Sequence, residues 1–302
     1  MEISLWHIND IAQLAESYNQ QVASIPFCYP VTGEELRRDV WSWEKEASGY
    51  DLYSEKLIVG LRDSRIVGFA HLAGLEEKRK DSPDAGLIRF LSYKPGHRKL
   101  GQRILEAAEN YFEELGLDRI QAFFPKIYSF YRFDVPSLSD RMAHIHGLFG
   151  ANGYKKYSGW YFMNRSLIET DSVLKVPRIA SGLEELVRTS NGESNLPSLN
   201  IKLCRDRRTV AEIQCFSAGM QIHAPAAQEC AYIAGLNVSK ADQSKGLGAF
   251  LLRRSLHELH KCGYENAILN TRFDNYRAQL LYSNTGFQVV DLTYSYFNYT
   301  PA

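Results

Sequence analysis

Gln243-Ser244-Lys245-Gly246-Leu247-Gly248 decides the reading of this chain. It joins a strand-like run, Tyr232-Ile233-Ala234-Gly235-Leu236-Asn237-Val238, to a helix-like run in which Leu252, Leu256 and Leu259 recur at helical spacing. Strand, glycine-bearing turn and helix start, in that order, make an anion site. Glycines without a Cβ let the backbone approach a ligand closely, and the unpaired N–H groups of a first helical turn suit a diphosphate. A phosphate-bearing cofactor is the first expectation. Two other phosphate motifs fit worse. The chain has no Gly-x-x-x-x-Gly-Lys-Ser/Thr string, and Leu251 stands where a dinucleotide fingerprint needs its third glycine.

The spacing predicts a helix over residues 246–262, stopped by Gly263, and then a strand over 266–270. Beyond these comes Asn275-x-x-Ala278-x-x-Leu281-Tyr282-x-x-x-Gly286-Phe287, a further helix and the turn into a following strand. Taken in order, the four features resemble the GNAT superfamily of acyl-CoA-dependent N-acyltransferases, whose pyrophosphate signature is similar to Gln-x-x-Gly-x-Gly. The resemblance implies an α/β fold built on a mixed sheet, with acetyl-CoA as co-substrate and no metal. It places cofactor contacts at Leu236, Asn237, Val238, Gln243, Ser244, Lys245, Gly246, Leu247, Gly248, Ala249, Asn275 and Tyr282.

The sequence repeats. At an offset of 147, Gly248 falls on Gly101, Leu259 on Phe112 and the helix-ending Gly263 on Gly116. Beyond the next strand the offset drops to 133, and Leu281-Tyr282-x-x-x-Gly286-Phe287 falls on Leu148-Phe149-x-x-x-Gly153-Tyr154. The change marks an insertion in the first copy, within residues 127–141. Two GNAT-like domains in tandem are expected, a degenerate one over 1–165 and a catalytic one over 166–302. The first copy is degenerate because Lys99 replaces Gly246 and Phe149 replaces Tyr282. Lys99, with His97 and Arg98, could still attract a phosphate. This layout is similar to that of tandem family members with one competent half. Only one short helix, 182–188, is expected before the polar loop at 190–195, so the second copy has an abbreviated opening.

A chain of 302 residues is long enough for two such cores. Lys and Arg number 35, as do Asp and Glu, so neither a nucleic-acid nor a membrane partner is indicated. The clusters Lys78-Arg79-Lys80 and Arg205-Asp206-Arg207-Arg208 read as solvated turns. Five widely spaced cysteines, without a Cys-x-x-Cys pair, suggest neither disulfides nor zinc. No leader-like or membrane-length apolar run is present, and a cytoplasmic location is expected. The aromatic stretch Ile127-Tyr128-Ser129-Phe130-Tyr131-Arg132-Phe133 suggests a seam between domains, with a box for a cationic amine as the other reading.

Acyl transfer to an amine needs a polarised carbonyl, a proton for the departing thiolate and a neutral nucleophile. A backbone N–H at a splayed strand end can polarise the carbonyl, and Asn237-Val238 is the place for it, with Gly235 hinting at a bulge. By resemblance Tyr282 is the proton donor; the other reading is a core residue beneath Gly286-Phe287. Asn275 reads either as a pantetheine contact or as a helix cap. For the base, Glu229 enters the strand and His223 precedes it, while a water relay stays open. The expected activity is transfer of acetyl from acetyl-CoA to a primary amine, on a small molecule or peptide, by a monomer or homodimer. The alternative is a non-catalytic acyl-CoA sensor or an interaction protein.

Overall fold

The structure, a computed structural model, describes residues 2–5, 11–41, 50–78, 83–124, 128, 130–132, 137–168, 180–192 and 194–299. Contacts divide it into two units, residues 1–160 with 291–302, and residues 161–290.

The first unit contains β1 (Glu2–Leu5), α1 (Ile11–Val22), α2 (Gly33–Trp41), β2 (Tyr50–Arg62), β3 (Arg65–Glu77), β4 (Ala85–Tyr93), α3 (Arg98–Glu114), β5 (Ile120–Ala122), β6 (Leu138–Ser139) and α4 (Ala143–Ala151). β7 (Lys155–Ser166) starts here and ends in the second unit. The strand order is β1-β2-β3-β4-β5-β13-β7, where β13 (Gln288–Phe297) is the last strand of the chain. From Asp291 onward β13 belongs to the first unit, pairing Tyr296 with Ala122 of β5 and Thr293 with Ser139 of β6. The early strands pair antiparallel, but β4 and β5 run parallel, as a helical crossover requires.

Tyr128, Phe130 and Tyr131, expected at a domain seam, instead fill the core of the first unit. All three are buried, and Tyr18 of α1 meets the Phe130 ring at 5.2 Å and the Phe90 ring at 5.6 Å. Rings this large are worth most where they lose all their water, and α1 supplies the lid. Ile127, Ser129 and Phe133 of the same stretch, and Arg79 and Lys80 of the first basic cluster, lie outside the described residues.

The second unit contains the end of β7, β8 (Glu184–Ser190), β9 (Ser198–Arg205), β10 (Arg208–Ser217), the short α5 (Pro225–Gln228), β11 (Cys230–Val238), α6 (Leu247–Lys261), β12 (Asn266–Arg272) and α7 (Tyr276–Ser283). Its order is β7-β12-β11-β10-β9-β8. The expected helix at 182–188 is a strand. β8 pairs antiparallel with β9 from Glu184↔Cys204 to Ser190↔Ser198, and all its residues are exposed. The ladder decided the matter: β-branched Val187 and Thr189 suit a strand, and Glu184, Glu185 and Arg188 put charge on an edge that must not recruit another chain.

The sheet of this unit is two-faced. Ile201, Leu203, Ala211, Ile213, Ala231 and Ile233 are buried with Leu251, Leu252, Leu256 and Leu259 of α6 in one cluster. Their strand neighbours Asn200, Lys202, Glu212, Gln214 and Tyr232 point the other way, as period-two alternation demands.

Candidate active site

The second unit opens where β11 and β12 part. Their parallel ladder covers only Cys230↔Asn266, Ala231↔Ala267 and Tyr232↔Ile268, and both strands then run on unpaired to each other. Against β10, Gln214 pairs with Gly235 and Cys215 with Ile233, so Ala234 is an extra residue. A bulge of this kind turns the strand and widens the gap. The expectation at Gly235 thus lands one residue away.

Beyond the gap, Ser239 to Asp242 lead into the turn. Gly246 is the N-cap of α6 with φ +87°, a left-handed conformation that side chains rarely adopt. No side chain caps this helix, and the first bond of the turn is Phe250 N–H to Gly246 O at 3.0 Å. The N–H groups of Leu247, Gly248 and Ala249 therefore precede the intrahelical ladder. A Cβ built on Gly248 comes no nearer than 3.7 Å to Leu281 and Val238, so the backbone there has room for a methyl group in ordinary contact.

A groove of about 480 Å³ lies over this turn. It is lined by Leu236 and Val238 of β11, by Gln243, Ser244, Gly246, Leu247, Gly248 and Ala249, and by Asn275 and Tyr282 from the far wall. Asn237 and Lys245, also expected here, are not in the lining. Lys245 Nζ is drawn aside to Asp242 Oδ1, 3.3 Å away. Asp242 also receives Arg205 at 3.3 Å and the Ser239 hydroxyl at 2.9 Å, and these donors, Arg205 first, hold its carboxyl down to about 2. The aspartate thus fixes the loop while its own charge is spent.

Sequence reasoning missed Asp242, Arg277, Ala278 and Leu281, which share the lining. Arg277 Nη1 donates to Gln243 Oε1 at 3.1 Å and Nη2 to Ser244 Oγ at 2.8 Å, while Gln243 Nε2 donates to Val238 O at 3.0 Å. One chain of bonds so ties α7, turn and strand together and leaves a guanidinium at the phosphate turn. Its signal was available: Arg277 lies two residues after Asn275, on the helical turn that faces the loop.

Asn275 caps α7, its Oδ1 accepting Ala278 N–H at 3.3 Å. Tyr282 packs on the core and its ring lies 5.9 Å from Phe287, so the packing reading holds. Its hydroxyl has no hydrogen-bond partner among the described residues, and burial raises its pKa above the ordinary phenol value. Glu229 is elsewhere. It is exposed, ends α5, and precedes the opposite end of β11 from Val238, about 30 Å along an extended chain. His223 is also exposed and outside the lining.

The first unit repeats the plan and closes it. β4 and β5 share three residue pairs, Gly86↔Ile120 to Ile88↔Ala122, before parting. β4 bulges too, at Arg89, which is fully buried and bonded to Glu55 at 3.0 Å. At Gly101, the partner of Gly248, a Cβ would fall 2.4–2.7 Å from the ring of Tyr93. That ring is held by its hydroxyl donating to His144 O at 3.0 Å. α3 begins at Arg98, so Lys99 is already helical where the second unit still has its turn. Phe149 is wholly buried among Phe123, Tyr154 and Tyr296.

Residues 200–287 match the acetyltransferase (GNAT) family, and the C-terminal half carries a domain of that superfamily. The whole chain shares the fold of solved GNAT structures, at identities that speak to fold alone. It is similar to a tandem GNAT protein from the clavulanic acid biosynthesis pathway, at 13% identity and TM-score 0.70, over 100% of this chain and 99% of that one. A GCN5-related N-acetyltransferase from Sphaerobacter thermophilus gives 13% and 0.62, over 98% and 94%. The GCN5-related glucosamine N-acetyltransferase region of a fungal multi-domain β-N-acetylglucosaminidase gives 13% and 0.65, over 98% of this chain but only 38% of that protein. No curated protein matches the sequence.

Proposed function

We propose that this chain is an N-acetyltransferase that moves an acetyl group from acetyl-CoA to a primary amine by direct attack in a ternary complex, with the chemistry in the second unit. The observation that carries this reading is the uncrowded Gly248 sharing one groove with Tyr282, whose hydroxyl has no partner among the described residues, set against the same place in the first unit, filled by Tyr93.

The residues fit the co-substrate. The N–H groups of Leu247, Gly248 and Ala249 would hold a diphosphate at the positive end of α6, and Arg277 would add a charge-assisted bond. The amide NH2 of Asn275, whose oxygen is spent on the cap, would serve a pantetheine carbonyl. Acetyl-CoA, when bound, supplies the activated thioester carbonyl. A backbone N–H at Asn237-Val238, where β11 meets the groove, would stabilise charge on that oxygen. Tyr282 would keep a proton at its Oη until a thiolate needs it, and burial suits it to stay protonated. No base is assigned to Glu229, which stands at the wrong end of its strand.

Calorimetry with acetyl-CoA, followed by amine-dependent thiol release and mass spectrometry of the products, tests the reading. One equivalent bound per chain with amine-dependent release is expected. Binding without thiol release across a broad amine mixture would leave a sensor, and no binding would end the proposal.

A further inference from the structure

The polar face of the second unit's strands is built for something to which it can give acceptors. The register sets Lys202 and Asn200 of β9 opposite Glu212 and Gln214 of β10, and sets Asn237 and Gly235 of β11 opposite the same two residues. Glu212 therefore stands one strand from Asn237, beside which the proposed acyl carbonyl would lie, and Gln214 stands next to the Ala234 bulge. Directly opposed side chains in such a ladder have Cβ atoms about 5 Å apart.

The bonding on this face is one-sided. Glu212 Oε1 accepts Asn200 Nδ2 at 2.8 Å, Gln214 Nε2 at 3.1 Å and Lys202 Nζ at 3.2 Å. Its Oε2 accepts nothing among the described residues, and the side chain keeps 21% exposure. Asn200 Oδ1 is buried and has no donor either. Its amide orientation is fixed, because a flip would turn oxygen toward the carboxylate. Beyond them Asn270 Nδ2 donates to Tyr232 Oη at 3.2 Å. A buried acceptor without a donor is costly, so Asn200 Oδ1 favours a bound N–H or O–H, and the solvent-reaching Oε2 of Glu212 offers a second acceptor beside it. The donors, Asn200 first, hold the Glu212 carboxyl below its ordinary range, and it is charged at neutral pH.

We propose that this face is the acceptor site of the transferase, with Glu212 Oε2 and Asn200 Oδ1 receiving the N–H groups of a primary amine on a hydroxyl- or amide-bearing molecule. The class is that of amino sugars and small peptide-like amines, whose further polar groups an arylalkylamine lacks. Glu212 is an anchor here and not the base. The assignment rests on the transferase reading, but its test does not need turnover.

Binding of glucosamine and of phenethylamine to the full chain, followed by saturation-transfer NMR, separates the two. Glucosamine should bind at least tenfold more tightly, and Glu212→Gln should weaken it at least tenfold while leaving acetyl-CoA affinity within twofold. Lys202→Met removes the competing cation, keeps the stem, and should tighten glucosamine about threefold; it serves as the second reading if Glu212→Gln folds poorly. Equal or reversed preference, no glucosamine binding, an unchanged Glu212→Gln or a weakened Lys202→Met would each overturn the site. Loss of acetyl-CoA binding by the unaltered chain would strike the transferase reading instead.

Discussion

At the residue scale, the difference between the two copies comes down to what stands over one glycine. Gly248 has room for a methyl group, since its nearest neighbours lie 3.7 Å from an added Cβ, whereas Gly246 at φ +87° has no room in conformation. Gly248 is therefore the cleaner probe. Gly248→Val should put a side chain into the groove and weaken acetyl-CoA binding more than tenfold, about 1.4 kcal/mol. Lys99→Ala, in the plugged copy, should alter that affinity little; calorimetry giving the opposite order would move the site to the first unit. Tyr282 makes the second comparison, because Phe149 shows that the position tolerates loss of the hydroxyl. Tyr282→Phe should lower kcat by roughly 10²-fold and spare acetyl-CoA affinity. Its pKa is raised by burial, so the acid form persists through neutral pH and past the ordinary phenol range. No alkaline limb below about pH 10 should then be lost on going from wild type to Tyr282→Phe. A chemistry-limited kcat that survives the change would leave Tyr282 as packing.

At the element scale, what the sequence made legible was whatever sits on a strong local signal. The α6 bounds, Leu247–Lys261, follow from leucine spacing and the glycines at either end. β8 was lost because Gly182 to Arg188 is charged and short, and only its ladder with β9 chooses strand over helix. Arg277 was overlooked because a lone arginine on an exposed helix looks like solubility until Gln243 and Ser244 are found beneath it. The aromatic stretch around Tyr128 signalled burial but could not say against what, since Tyr18 is more than a hundred positions away. Asn275 was left between two roles, and the cap to Ala278 N–H is present. Asn275→Ala should cost about 1 kcal/mol of stability, read as a lower urea midpoint. Asn275→Ser, which can cap, should recover most of it without restoring any loss of acetyl-CoA affinity. Recovery of both together would assign Asn275 to the cap alone.

At the scale of the whole molecule, acid acts on the first unit through a buried histidine. His71 in the first unit is buried with Glu55 at 3.0 Å, and burial first, then the charge of Arg89, lowers its pKa to about 4. The unfolded chain takes that proton near pH 6.5, the folded chain only near 4, so stability present above 6.5 drains away as pH falls toward 4. Between pH 7 and 5 the loss should be roughly 2 kcal/mol. Glu55, whose pKa is lowered, adds to it below the ordinary glutamate range. Urea midpoints should fall accordingly and flatten in His71→Gln, and an unchanged slope in that variant would free His71 of the role.

Duplication suggests two parts that could be cut apart, but the chain does not return them that way. Residues 291–302 close the first unit although they end the second copy, and Asp291 carries much of the reason. Its Oδ2 lies 2.7 Å from Arg132 Nη1 and also receives the Ser139 hydroxyl at 2.5 Å, with arginine and aspartate both buried. Removing one partner of such a pair strands a charge in a low dielectric, at about 3–5 kcal/mol. A chain ending at Val290 would also leave β5 without its partners at Tyr296 and Phe297 and β6 without Thr293. Those losses fall on the first unit, while β9 to β12 and α6 keep every ladder described for them. Hydrogen exchange should therefore show β4, β5 and α4 unprotected in the truncated chain and α6, β10 and β11 still protected. Asp291→Asn should give the same pattern in milder form. Protection lost first from α6 would mean that the last strand serves the half that carries the groove, and that the two copies are partitioned in the order of the sequence after all.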